Sequence, residues 1–164
     1  MAGDSSFDIV SKLDHQEVDN ARNQTAKEIS QRFDFKNTGA SITWHGESSL
    51  TVTANAEERA LAVIDVFRER LIKRGQSLKI LDVGQPHSSG REVKVEIDLK
   101  EGINQEQARK VSKLIRDDGP KGVKVQVQGE ELRVSSKKRD DLQAVIALIK
   151  AQDYDFAVQF TNYR

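Results

Sequence analysis

The sequence predicts an α+β fold in which one order of elements, strand, helix, strand, strand, helix, strand, is used twice in about 80 residues each. Three observations predict it. Short runs place apolar residues at every second position, longer runs place them at helical spacing, and the two kinds of run follow one another in the same order in both halves. The repeat is one of pattern, since little residue identity survives between the halves.

In the first half, Phe7 to Val10 reads as a short strand. Asp14 then opens a helix through a capping box with Glu17, stapled by Leu13 and Val18. Val18, Ala21, Thr25, Ile29 and Phe33 form its apolar stripe, and Asp34 to Gly39 ends it. Ile42 and Trp44, then Leu50 and Val52, alternate with polar neighbours on either side of Gly46-Glu47-Ser48, which predicts a hairpin. Asn55 with Glu58 reads as a second capping box. Ala60, Ile64, Phe67 and Leu71 are the stripe of the helix that follows, Gly75 stops it, and Ser77 to Val83 is the next strand.

After a loop at 84–90 the order begins again. Val93, Val95, Ile97 and Leu99 alternate with charged residues, and Asn104 with Gln107 caps a helix bearing Ala108, Val111, Leu114 and Ile115. Gly119-Pro120 ends that helix. Val123, Val125 and Val127 form a strand that turns at Gly129-Glu130-Glu131 into Leu132 and Val134. Ser136 is placed to cap a helix with the stripe Leu142, Val145, Ile146, Ile149, and Phe156, Val158 and Phe160 supply the last strand.

This order is the ferredoxin-like, or split βαβ, arrangement, in which the first and fourth strands are antiparallel neighbours. Only seven residues join the strand ending at Val83 to the one beginning at Arg91, and short connections join strands that pair. The strand at 91–99 is therefore expected to complete the first sheet, leaving Phe7 to Val10 to complete the second. The domains become 13–100, with its first-strand slot filled by 91–99, and 1–12 plus 101–164, their N-terminal strands exchanged. Two independent domains on a linker are the alternative.

Composition narrows the function. No apolar run approaches a membrane span, and the first residues lack the basic start and apolar core of a signal peptide, so a cytoplasmic protein is expected. The chain has no cysteine, which removes disulfides, thiolate metal sites and thiol nucleophiles together. Net charge is +0, yet residues 100–139 carry 11 basic and 6 acidic side chains, a local excess of five. His15, His45 and His87 lack metal-ligand spacing, so no metal site is expected. Neither a nucleophile elbow nor a phosphate-binding glycine loop is present, and no catalytic residues can be assembled.

The stretches SFDIVS at 6–11, RFDFKN at 32–37, LIKRG at 71–75, KVQVQGEELRV at 124–134, KRDDLQAVIAL at 138–148 and QFTNYR at 159–164 resemble the YajQ family of bacterial proteins. The matches run in order from end to end. The resemblance implies two ferredoxin-like domains with swapped first strands, no enzymatic activity, no cofactor, and binding of nucleotides or nucleic acid in the cytoplasm. Purine nucleotides, transfer RNA and, in some members, cyclic di-GMP with a transcription-regulator partner are the ligands it implies. Lys138-Arg139 departs from the small residue and arginine frequent there.

Two sets of residues are candidates for phosphate contact. Arg133, Lys137 and Arg164 are expected to meet a nucleotide at the second domain, where free N–H groups of the helix after Ser136 favour anions. Arg109, Lys110, Lys113 and Arg116 lie along one helix opposite its apolar stripe and suit nucleic-acid phosphates. Arg68, Arg70, Lys73 and Arg74, at the end of another helix, read as dipole compensation. Lys124, Arg133 and Gln159 are expected on the open sheet face, with Phe156 and Phe160 turned inward, which disfavours base stacking there. The reading that follows is a non-enzymatic binding protein for a nucleotide, cyclic dinucleotide or RNA. The alternative is a protein-interaction adaptor without a small ligand.

Overall fold

The computed structural model describes residues 4–164. Their strands and helices are, in order, β1 (Ser5–Val10), α1 (His15–Gln31), β2 (Ser41–Trp44), β3 (Ser49–Ala54), α2 (Glu57–Lys73), β4 (Leu81–Val83) and β5 (His87–Ser89). There follow β6 (Glu92–Leu99), α3 (Gln105–Asp118), β7 (Lys124–Gln128), β8 (Glu131–Ser136), α4 (Arg139–Lys150) and β9 (Gln159–Thr161). The chain forms two compact units, Leu13–Lys100 and the segment through Lys12 joined with Glu101–Arg164. Among the described residues no helix is long and apolar enough to cross a membrane.

The unit Leu13–Lys100 holds an antiparallel sheet in the order β2-β3-β6-β4, with β5 also paired to β6. The alternating Leu50 and Val52 of β3 stand opposite Ile97 and Val95 of β6, so four fully buried side chains share one face. Val18, Ala21 and Ile29 of α1 and Ala60, Ile64, Phe67 and Leu71 of α2 are buried with them. Ion pairs of Glu17 with Arg74 (3.3 Å) and Glu28 with Arg70 fasten α1 to α2.

Several local expectations change in this unit. Phe33 leaves the α1 stripe and is 86% exposed. Arg32 adopts extended backbone angles that end the helix, and its guanidinium forks onto Asp34 at 3.0 and 2.7 Å, fixing a 3-10 turn over Phe33–Phe35. Phe35 takes the buried place instead, with Arg32 over its ring. Asn55 does not cap α2: Ala56 stands at the N-cap without a side-chain bond, and Asn55 donates to the Asn37 carbonyl. The strand expected from Ser77 is shorter, because Ser77 Oγ accepts from the Lys79 N–H and winds Leu78–Ile80 into a 3-10 turn. Within the loop at 84–90, His87–Ser89 folds back as β5 onto β6.

The other unit holds a four-stranded antiparallel sheet in the order β7-β8-β1-β9. Phe7 and Ile9 of β1 and Leu132 and Val134 of β8 project toward α3 and α4, where they meet Ala108, Val111, Ile115, Leu142, Val145, Ile146 and Ile149. The reciprocal bonds of Asn104 and Gln107, 2.8 and 3.0 Å, start α3. Ser136 is the last residue of β8 rather than a helix cap, since Lys138 occupies the N-cap of α4. Its hydroxyl accepts from the Lys138 N–H at 3.2 Å and donates to Asp141 at 3.0 Å. The last strand is only Gln159–Thr161, while Phe156 reaches the core from the bend before it.

Candidate functional site: a cleft beside the first strand

Alternation along β1 sends Ser6 and Asp8 to the sheet face opposite Phe7 and Ile9. Asp8 sits between Arg133 of β8 and Thr161 of β9 in the strand register. It is 2% exposed. A carboxylate so buried persists only when paired, and this one accepts from Arg133 Nε at 3.1 Å and Asn162 Nδ2 at 2.8 Å, with Arg164 at 3.9 Å. Burial pushes the Asp8 carboxyl up, but the hydrogen bonds of Asn162 and Arg133 and the charges of Arg133 and Arg164 outweigh it, holding the group below its ordinary value.

Asn162 also redirects the chain. β1 residues Asp8 and Ser6 are two apart, yet their partners Thr161 and Arg164 are three apart, with Ser6 and Arg164 exchanging backbone hydrogen bonds of 3.2 and 2.9 Å. The extra residue is a β-bulge, and Asn162 takes it up at φ 55°, in the left-handed region that asparagine tolerates. Beyond the bulge, Tyr163 stacks on Phe7 with ring centroids 6.1 Å apart while remaining 62% exposed.

Tyr163 and Arg164 thereby border a cavity of about 240 Å³ together with Ser5, Ser6, Arg139, Leu142 and Gln143. Two guanidinium groups, an amide, two hydroxyls and an exposed aromatic ring line one small space, with buried Leu142 as its apolar element. Such a lining supplies charge-assisted bonds for an anionic group and a flat surface for a ring.

The expected nucleotide contacts do not come together as a set. Arg133 and Arg164 converge, but on Asp8, so the anion they meet is part of the chain itself. Lys137 is exposed between β8 and α4 and is absent from the cavity lining. Asp140 and Asp141 occupy the first turn of α4 and already supply negative charge where a phosphate was expected. Arg139, Gln143 and Tyr163 were not singled out from the sequence, and Tyr163 owes its place to the left-handed backbone of Asn162 before it.

A second surface lies on α3. Ala108, Val111 and Ile115 are buried, and Arg109, Lys110, Lys113 and Arg116 are all exposed and form no ion pair among the described residues. The α2 cluster differs, since Arg68 pairs with Asp65, Arg70 with Glu28 and Arg74 with Glu17. His15 stacks on Trp44, whose Nε1 donates to Asp19 at 2.8 Å, and no three acidic or histidine side chains among the described residues are grouped to hold a metal ion.

Comparison with known proteins fits these features to a lineage. A family model described as nucleotide-binding protein YajQ-like matches residues 5–164. A nucleotide-binding protein of Nocardioides sp. (strain ATCC BAA-499 / JS614) is 69% identical over 161 residues, covering 98% of this chain and 99% of that protein. Similar proteins of the same description occur in Streptomyces coelicolor, 68% identical over 161 residues with the same coverage, and in Thermobifida fusca, 61% identical over 165 residues that span both chains completely.

Proposed function

The chain belongs to the YajQ-like family of nucleotide-binding proteins, and from that premise we propose that it holds a nucleotide without chemical turnover in the cavity beside β1. The observation that carries this reading is the shared lining of Arg139, Arg164 and Tyr163. Arg139 meets the phosphate, joined by Arg164, whose half-exposed guanidinium lies 3.9 Å from Asp8 and keeps N–H donors to spare. Tyr163 offers its ring to the base, and Gln143 with Ser5 and Ser6 supplies polar contacts to base edge or sugar. The cavity volume supports the smaller ligands. Pockets for drug-sized molecules enclose roughly 300–1,000 Å³, so about 240 Å³ suits one nucleotide moiety. A purine mononucleotide fits this reading, and a cyclic di-GMP molecule would leave one half outside.

The proposed scaffold is a pair of ferredoxin-like domains that exchange first strands, divided as 13–100 and 1–12 plus 101–164. Support comes from β1 pairing with β8 and β9, and from β6 pairing with β3 and β4. A cytoplasmic setting, with a transcription regulator as the protein that reads the bound state, belongs to the same proposal. The α3 face of Arg109, Lys110, Lys113 and Arg116 supports a second reading, RNA binding, because these four exposed cations form no ion pair among the described residues.

Calorimetric titration with GMP, GTP and cyclic di-GMP tests the cavity. Base–aromatic stacking contributes about 1–3 kcal/mol, so Tyr163→Ala should weaken nucleotide binding by roughly 5-fold to 150-fold, Tyr163→Phe should retain it, and Arg139→Ala should weaken phosphorylated ligands while sparing the nucleoside. Wild-type affinity in both alanine variants places the ligand elsewhere. Binding of no nucleotide, with retention of a protein partner, favours the adaptor.

A further inference from the structure

β7 is an outer strand of its sheet, paired to β8 in a register that runs without a bulge from Lys124 opposite Ser135 to Gln128 opposite Glu131. No other strand pairs with it among the described residues. Outer strands usually carry protection against pairing: lysines, prolines, bulges or inward charges. β7 has one lysine, at its first position, and otherwise reads Val-Gln-Val-Gln. Four of its five residues are exposed, and Val127 stands 56% exposed opposite the fully buried Leu132.

We propose that β7 pairs with β7 of a second copy of this chain, related by a two-fold axis at Gln126. The sequence is self-complementary in that register. Antiparallel pairing sets Gln126 opposite Gln126 of the other copy, Val125 opposite Val127, and Lys124 opposite Gln128. Both valine pairs fall on the face that carries Leu132 and Val134, and no like charges meet. Each outward amide and carbonyl of β7 gains a partner, and the two four-stranded sheets join into one of eight strands. A two-fold contact of this kind consumes both edges and closes, which is why a second copy fits better than an open-ended stack. Five paired residues a side fall short of the roughly 1,200–2,000 Å² buried in stable complexes. The dimer is therefore weak and reversible.

Sedimentation equilibrium of the full chain, from micromolar to millimolar concentration, tests this directly. Wild-type protein should show a reversible monomer–dimer equilibrium. Gln126→Glu and Gln126→Lys each place like charges face to face on the axis and should raise the dissociation constant about tenfold or more. An equimolar mixture of the two should recover dimer, as opposite charges then meet. Val127→Lys provides a second disruption at the apolar pair, and melting curves near the wild-type curve exclude unfolding as the cause. The proposal is overturned by a wild-type chain that stays monomeric throughout, by Gln126→Glu protein that dimerises like wild type, or by a mixture that stays monomeric.

Discussion

Replacing Asp8 with asparagine should expose how much of its unit depends on one buried charge. The carboxylate accepts from Arg133 and Asn162 and faces Arg164. Hydrogen bonds to a charged group contribute about 1.5–3 kcal/mol each. Asparagine keeps an acceptor for Arg133 but turns an N–H toward the Asn162 amide, so one of those bonds is lost together with the charge. The side chains of Arg133 and Arg164 are 34% and 50% exposed, and water recovers part of their solvation. The net cost is about 2 kcal/mol, or roughly 4–8 °C in melting temperature for a chain of this length. Because the folded-state pKa of Asp8 is depressed, its contribution is complete above the unfolded value of about 3.9 and is lost as pH falls through the folded value. Urea titrations of both proteins from neutral to acid pH should therefore show a gap that closes at the acid end. A neutral-pH difference under about 0.5 kcal/mol, or a gap that persists once carboxylates are protonated, refutes the reasoning.

Phe33→Ser should change stability by no more than about 0.5 kcal/mol, whereas Ile29→Ala, four residues earlier on the same apparent stripe, should cost about 2–5 kcal/mol in urea unfolding. If the α3 face engages RNA, Lys113→Ala should reduce the dependence of log affinity on log salt by about one contact, near 0.7 on a single strand, and weaken all sequences alike; a wild-type slope in a binding titration removes the residue from the interface. Deleting residues 1–12 should abolish hydrogen-exchange protection in β8, α4 and β9 while α1 and α2 retain theirs. Loss in α1 and α2 with the other unit intact contradicts the pairing of β1 with β8 and β9.

The fold was legible where a periodic pattern meets a neighbour that covers its apolar face; Val127 of β7 alternates too, yet stands 56% exposed. Val93 to Leu99 and Leu132 to Val134 alternate, and both became strands, with Val95, Ile97, Leu132 and Val134 fully buried and Val93 and Leu99 half-buried. Asn104 and Gln107 announce α3 because a capping box is complete within four residues. Boundaries that rest on competition were less legible. Phe33 continues the apolar stripe while Phe35 does not, and what reverses their burial is the Arg32 fork onto Asp34, which ends the helix two residues early. The site was hidden for a different reason. Asp8 looks like any polar residue on a half-buried strand, and its partners Arg133 and Asn162 are 125 and 154 residues away in the chain. The bulge at Asn162 has no meaning until β1 lies beside it, so the placement of Tyr163 could not be read from QFTNYR alone.

That dependence on β1 has a consequence for how binding and stability are joined. One six-residue strand sets Phe7 and Ile9 into the core, Asp8 under Arg133 and Asn162, and Ser5 and Ser6 along the cavity. The backbone of Ser6 also holds Arg164 in place through two hydrogen bonds. The cavity therefore exists only while β1 is docked between β8 and β9. A ligand seated there binds the folded unit alone, and it stabilises that unit by about 2.7 kcal/mol when present at a hundred times its dissociation constant. Protection against hydrogen exchange should then rise first in β1, β8 and β9, because any opening that releases β1 also empties the cavity. A ligand on the α3 face touches no residue of β1, so its added protection should be greatest in α3 itself. The distribution of added protection along the chain thus separates a nucleotide in the cavity from a polyanion on the helix.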